Sequence, residues 1–261
     1  MGNRGRVCAY CGRREKLTRE DLFATFLRSF YPSYRTYLDH RRGTQLRNTA
    51  PVVRDVCHVC NNELLSNLDG YVANLNRGYF SGTPAPDRPI TFDYDYDLLL
   101  RWLLKVWYND ARASGRNVEK HRLFAPYIRG ETAEPPFPVT LTLGILAPFV
   151  LGEFGSSEHP RIIRFGTTSV EHAEFRNHLI VARMLTLNSY LFHLFVWDSN
   201  LPRARRREFA RGLEREWAFE ELRQARSQIV LRISKVDTFD HLAATFASGG
   251  ALRRRPTRAL R

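Results

Sequence analysis

The sequence predicts an α+β protein in two parts: a small N-terminal unit stapled by cysteines, then a larger domain built on a mainly antiparallel sheet. Three observations carry this. All four cysteines fall in the first 60 of 261 residues, as two C-x-x-C pairs. A helical apolar stripe at 97–113 precedes runs of strand character beyond Pro138. A second helical pattern, starting at Arg203, is followed by one more β-branched run.

Taken in order, the first pair is Cys8-Ala9-Tyr10-Cys11, and Gly12 after it suits a tight turn. A charged stretch then ends in the adjacent acids Glu20 and Asp21 before the apolar Leu22-Phe23. After Pro51, the β-branched run Val52–Cys57 leads into the second pair, Cys57-His58-Val59-Cys60. Asn61 or Asn62 is placed to cap a helix carrying Leu64, Leu65, Leu68, Val72 and Leu75 on one stripe, with Asp69 at its border. Residues 1–78 thus read strand, strand, helix, and 79–96, rich in Gly and Pro, reads as a linker or long loop.

The domain expected over 97–247 opens with Leu98, Leu99, Trp102, Leu103, Val106 and Trp107 at helical spacing, tryptophans that suit a core. Val139–Leu143 alternates, as does Ile162–Phe165, and the run from Leu179 to Trp197 supplies two strands around Asn188-Ser189. Helical periodicity returns from Arg203 to Ser227, with Phe209, Leu213, Trp217 and Leu222 inward, and Ile229–Ile233 is a final strand. Residues 248–261 read as a disordered basic tail.

Charge points to a partner. The 40 Lys and Arg exceed the 27 Asp and Glu, a net charge of +13. The surplus sits at the two ends: residues 1–80 carry 13 basic and 7 acidic side chains, 81–200 carry 12 and 13, and 201–261 carry 15 and 7. Clustered guanidinium groups neutralise phosphates and release counterions, so nucleic acid is the expected partner, DNA ahead of RNA. Arg205, Arg206, Arg207 and Arg211, in the arginine-rich stretch 203–211, offer a surface able to track phosphates; a solvated charged helix face is the other reading. Only Lys16, Lys105, Lys120 and Lys235 are lysines, a bias that codon usage explains without explaining the surplus over acid.

Two C-x-x-C pairs in a reducing compartment read as a four-thiolate zinc site formed by Cys8, Cys11, Cys57 and Cys60, because each pair delivers two sulfurs to one tetrahedral ion. Disulfides suit an oxidising compartment, and a thioredoxin-like motif needs a strand and helix around one pair. The 45 residues between the pairs exceed the spacing of an ordinary zinc ribbon, so a structural insertion is expected there.

In combination, CAYCG, LTREDLF and VCHVCNNELLSNLD resemble the zinc-knuckle branch of the HNH endonucleases over about residues 7 to 75. The resemblance implies a zinc-stapled ββα-metal fold in which a hairpin and a helix hold a divalent ion, with Mg²⁺ or a similar metal cutting phosphodiester bonds of DNA or RNA. It implies that Glu20 and Asp69 hold that ion and that Asn61 orients the base. Asp21 stands where the family has its general-base His, and a carboxylate with a pKa near ~3.9 is a weaker base than an imidazole near ~6.5. His40 and His58 offer little as replacements, since His58 lies inside a knuckle and is expected to face the zinc.

Plainer readings stand beside these. Glu20 and Asp21 could begin a helix capped by Thr18, Asn61 could be a cap alone, and Asp69 a solvated helix residue. A catalytically degenerate, zinc-containing nucleic-acid-binding protein is accordingly the alternative to a nuclease. P-loop, dinucleotide and nucleophile-elbow motifs are absent, which removes sequence support for nucleotide hydrolysis, Rossmann cofactors and esterase chemistry. The longest apolar runs are broken by Arg, Asn or His and the first residues lack a signal-like apolar segment, so a cytoplasmic protein without a membrane role is expected.

Overall fold

The computed structural model describes residues 7–30, 36–39, 44–47, 52–82, 84–85, 88–146, 163–167, 170 and 172–233. The basic tail at 248–261 and His40 lie outside the described residues.

The N-terminal unit is built on β1 (Leu17–Asp21) and β4 (Val52–Cys57), an antiparallel pair in register from Leu17↔Cys57 to Asp21↔Val52. The register shifts between Thr18 and Glu20, leaving Arg19 exposed and turning Glu20 inward. Between these strands lie α1 (Thr25–Phe30) and a hairpin of β2 (Thr36–Asp39) and β3 (Thr44–Arg47), which accounts for the long spacing between the knuckles. The strand β1 occupies the position where a helix starting at Thr18 was one reading. After β4 the chain turns straight into helix: a π-helical turn at Cys60–Leu65, α2 (Ser66–Leu75), and a second π-helical turn at Asn76–Phe80.

The segment 79–96, expected to be a linker or long loop, carries a strand. It contains β5 (Ile90–Asp93), and Phe80, Phe92 and Tyr94 within it are buried. β5 pairs with β11 (Gln228–Leu231), so the last strand closes a small ladder beside the main sheet. Next comes α3 (Tyr96–Ser114), whose cap Asp95 accepts the Leu98 N–H at 2.9 Å. Short helices α4 (Val118–Arg122) and α5 (Ala125–Ile128) follow.

The main sheet is antiparallel throughout. It comprises β6 (Val139–Ile145), β7 (Ile163–Thr167), β8 (Leu179–Leu187), β9 (Tyr190–Trp197) and β10 (Glu220–Leu222), ordered β10-β6-β9-β8-β7. Asn188, at φ 51°, makes the turn between β8 and β9, and its side chain donates to Phe80 O at 2.6 Å. All eight residues of β9 are buried because both faces of the sheet are covered, which is why that run lacks strict alternation. Leu143, Phe192 and Leu194 face α3 and the N-terminal unit in one continuous core running from Cys8 to Leu231. On the other face Met184, Leu191, Phe195 and Trp197 meet α6 (Ala173–Asn177) and α7 (Arg203–Trp217).

α7 ends ten residues before the periodicity suggested. Ala218 adopts a left-handed conformation at φ 55°, and Phe219 then drops onto Gly144, where a Cβ would lie 1.8 Å from its ring. Leu222, expected on the helix, is therefore a strand residue of β10. Trp102 and Trp107 are fully buried core residues, as the stripe on α3 implied.

Candidate metal centre and the acid pair beside it

The first knuckle is a tight turn: Gly12 N–H donates to Cys8 O at 2.9 Å, and Gly12 takes φ 73°, a conformation that costs a residue with a side chain. Ala9 N–H donates to Asp55 O at 2.8 Å, which hangs this turn on β4 beside the second knuckle. The four Sγ atoms consequently lie within 4.8 Å of one another, with Cys11 and Cys57 at 3.7 Å. A tetrahedron with metal–sulfur distances of about 2.3 Å has edges of about 3.8 Å, so the geometry fits a four-thiolate metal ion. All four thiols are free of disulfides, and Cys8, Cys57 and Cys60 are buried. Burial acts to raise the Cys8 thiol, but N–H groups of Cys11, Cys57 and Tyr10 bring it down to about 7. Burial raises Cys57 and Cys60. His58 is exposed to solvent, contrary to the expectation that it faces the metal.

Asn61 follows Cys60 directly, and its side chain leaves its own helix. Its amide donates to Thr18 Oγ1 at 2.9 Å and to Arg19 O at 2.9 Å, while Thr18 Oγ1 donates to Val56 O at 2.9 Å. The helix start has no side-chain cap, so the capping role expected of Asn61 or Asn62 is not taken up. Asn61 instead stitches the helix to the strand that carries the two acids.

Glu20 and Asp69 converge on one cation, the ammonium of Lys105. Its Nζ lies 2.7 Å from Glu20 Oε1 and 2.7 Å from Asp69 Oδ2, and Trp102 Nε1 donates to Asp69 Oδ1 at 3.1 Å. Lys105 is 1% exposed and Glu20 7%, so both charges of that pair are out of water. Burial raises the Glu20 carboxyl, and Asp69 and Asp21 add to this while Lys105 pulls the other way. Asp69 is anchored on two sides, which sets aside the solvated-residue reading. Asp21 accepts from Thr25 Oγ1 at 3.3 Å and lies 3.8 Å from Arg19. Among the described residues, only the four cysteines bring three or more Cys, His, Asp or Glu donor atoms close enough to hold a metal.

Helix α3 locks this arrangement. Trp102, Lys105, Asn109 and Arg112 recur at intervals of three and four residues, one face of a helix. Asn109 Oδ1 accepts from Tyr10 OH at 2.7 Å, and Asn109 Nδ2 donates to Asp21 O at 3.3 Å. Arg112 pairs with Asp55 and lies over the rings of Tyr10 and Tyr108, 4.9 and 4.5 Å from their centroids. The sequence marked Trp102 as a core residue, but none of Lys105, Asn109 and Arg112 as part of a site. The available signal was Lys105, one of four lysines, set among the buried leucines and tryptophans of an apolar stripe.

Exposed basic groups surround the N-terminal unit: Arg13, Arg14, Lys16, Arg19 and Arg54. On α7, Arg205 is engaged by Glu174 and Glu208, and Arg206 is half-buried, so only Arg207 and Arg211 of the expected row stand exposed. That helix covers the sheet face opposite α3. No helix among the described residues is long and apolar enough to cross a membrane. No protein-family model, curated protein or solved structure matches the chain.

Proposed function

We propose that residues 7–80 form an HNH-like module that holds zinc on its four cysteines and binds nucleic acid, DNA ahead of RNA, without cutting it by the metal-dependent route. The observation that carries the likeness is the Asn61 clamp, which ties the helix after the fourth cysteine to β1 just before the acid pair. Two departures favour binding over cleavage: Asp21 replaces the general-base imidazole, and Lys105 lies between the acids that would hold a divalent ion. Arg13, Arg14, Lys16, Arg19 and Arg54 supply the phosphate contacts.

Zinc-loaded protein should shift short duplex DNA at low salt, with affinity falling steeply as salt rises. Changing Arg13, Arg14 and Arg54 together to Ala should reduce the slope of log K against log salt by about 3. Absence of binding at 50 mM salt would sink this reading.

A second reading, metal-dependent phosphodiester hydrolysis, is favoured by the convergence of Glu20 and Asp69. In it the ammonium of Lys105 leaves the acids, Glu20 and Asp69 would hold a divalent ion such as Mg²⁺ that would stabilise charge on the scissile phosphate, and Asp21 would take the proton from water. EDTA-sensitive nicking that disappears in Glu20→Ala would establish it over the first.

A further inference from the structure

The acid pair is complete as a charge cluster without any ion from solution. Lys105 reaches it from α3, with Nζ at 2.7 Å from one oxygen of each carboxylate, and the two oxygens are therefore at most twice that distance apart. A magnesium-like ion binds oxygens at about 2.0–2.1 Å, so an ion shared by Glu20 and Asp69 would sit in the space the ammonium fills. Both cannot be there together, on steric grounds as much as on charge. Trp102, three residues earlier on the same helix, fixes the second oxygen of Asp69 and so holds the carboxylate toward the ammonium. A lysine at 1% exposure, in a chain where arginine far outnumbers lysine, places a compact point charge between the two carboxylates.

We infer that Lys105 is a built-in cation that closes a latent divalent-metal site formed by Glu20 and Asp69, and that the site opens to Mn²⁺ or Mg²⁺ when this ammonium is removed. The inference rests on the HNH-like reading for the class of ion, while its test needs no nucleic acid, so the two fail separately. Lys105 acts here as a positioning residue. It draws the two carboxylates together from β1 and α2 and fastens both to α3.

The test uses the full-length, zinc-loaded protein and Mn²⁺ alone, followed by electron paramagnetic resonance and by thermal unfolding. Wild type should bind no Mn²⁺ in a way that depends on Asp69, and its Tm should not move with Mn²⁺. Lys105→Ala, and the volume-conserving Lys105→Met, should each acquire one Mn²⁺ site and gain about 5 °C or more in Tm at saturating metal. Adding Asp69→Asn should abolish both effects. The inference is overturned if wild type binds Mn²⁺ at a site lost in Asp69→Asn, or if a Lys105 variant that retains its zinc acquires no site. The wild-type arm decides against it even where both Lys105 variants fail to fold. Gel shifts with DNA on the same samples read the binding proposal independently: lost shifts together with a gained Mn²⁺ site would sink only the proposal that the protein binds nucleic acid.

Discussion

The two clusters of potential ligands in the N-terminal unit lie at opposite ends of β1 and solve the same electrostatic problem differently. The cysteine cluster gathers four thiols from two knuckles, and its geometry suits a cation from outside. The acid cluster gathers Glu20 and Asp69 and meets its cation from within the chain, on α3. An external ion ties folding to metal supply, whereas an internal ammonium ties it to the docking of one helix. With zinc on the cysteines, as proposed, the same unit would depend on metal at one end and on tertiary contact at the other.

Removing metal should have the largest effect. Structural zinc contributes apparent binding free energies on the order of 10 kcal/mol or more, and without it such knuckles do not hold their fold. Because the core runs unbroken from Cys8 to Leu231, Cys57→Ser or exhaustive chelation should lower the Tm of the whole chain rather than release one end quietly. Zinc content with a melting curve checks this. A purified Cys57→Ser protein that melts like wild type would mean that the cysteines are packing residues only.

Next in size is the internal cation. Lys105→Ala leaves Glu20 and Asp69 facing each other without a cation, and breaking a buried ion pair from one side costs about 3–5 kcal/mol. Replacing all three, as Lys105→Met with Glu20→Gln and Asp69→Asn, removes the unpaired charges and should recover most of that loss in denaturant unfolding. Equal losses in the single and triple variants would show that Lys105 matters for its packing alone and would erase the contrast between the two clusters.

How far these clusters were legible in the sequence follows from the distances along the chain over which they form. The cysteine cluster was readable because each knuckle is local: two sulfurs at i and i+3 can serve only a small set of geometries. The hairpin of β8 and β9 around Asn188-Ser189 and the buried face of α3 were readable for the same reason. What resisted was pairing between remote segments. β5 lay hidden in a Gly- and Pro-rich stretch because its partner β11 is far along the chain, and α7 ended early because a left-handed Ala218 delivers Phe219 to Gly144, a contact no period encodes. The acid cluster sits between these cases. Glu20 and Asp69 were marked by resemblance, but Lys105, 36 residues beyond Asp69, showed itself only as a lysine inside an apolar stripe.

The smallest effect bears on the join between the two clusters. Asn61 sits one residue past the last cysteine, and its amide reaches Thr18 Oγ1 and Arg19 O on the strand that carries Glu20. A backbone carbonyl only accepts, so the group facing Arg19 O must be the Nδ2 amine, which fixes the orientation of the side chain. Each hydrogen bond contributes about 0.5–1.5 kcal/mol net, so Asn61→Ala should cost about 1–2 kcal/mol. Asn61→Asp keeps the shape but sets a carboxylate against that carbonyl and near the buried Glu20, so it should cost at least as much as Ala. Urea unfolding of the two variants measures both. If Asn61→Ala unfolds within 0.3 kcal/mol of wild type, to borrow the ~0.3–0.5 kcal/mol scatter within which independent sites add, then helix and strand are not coupled through this side chain. The proposed likeness to an HNH module would then lose the observation that carries it.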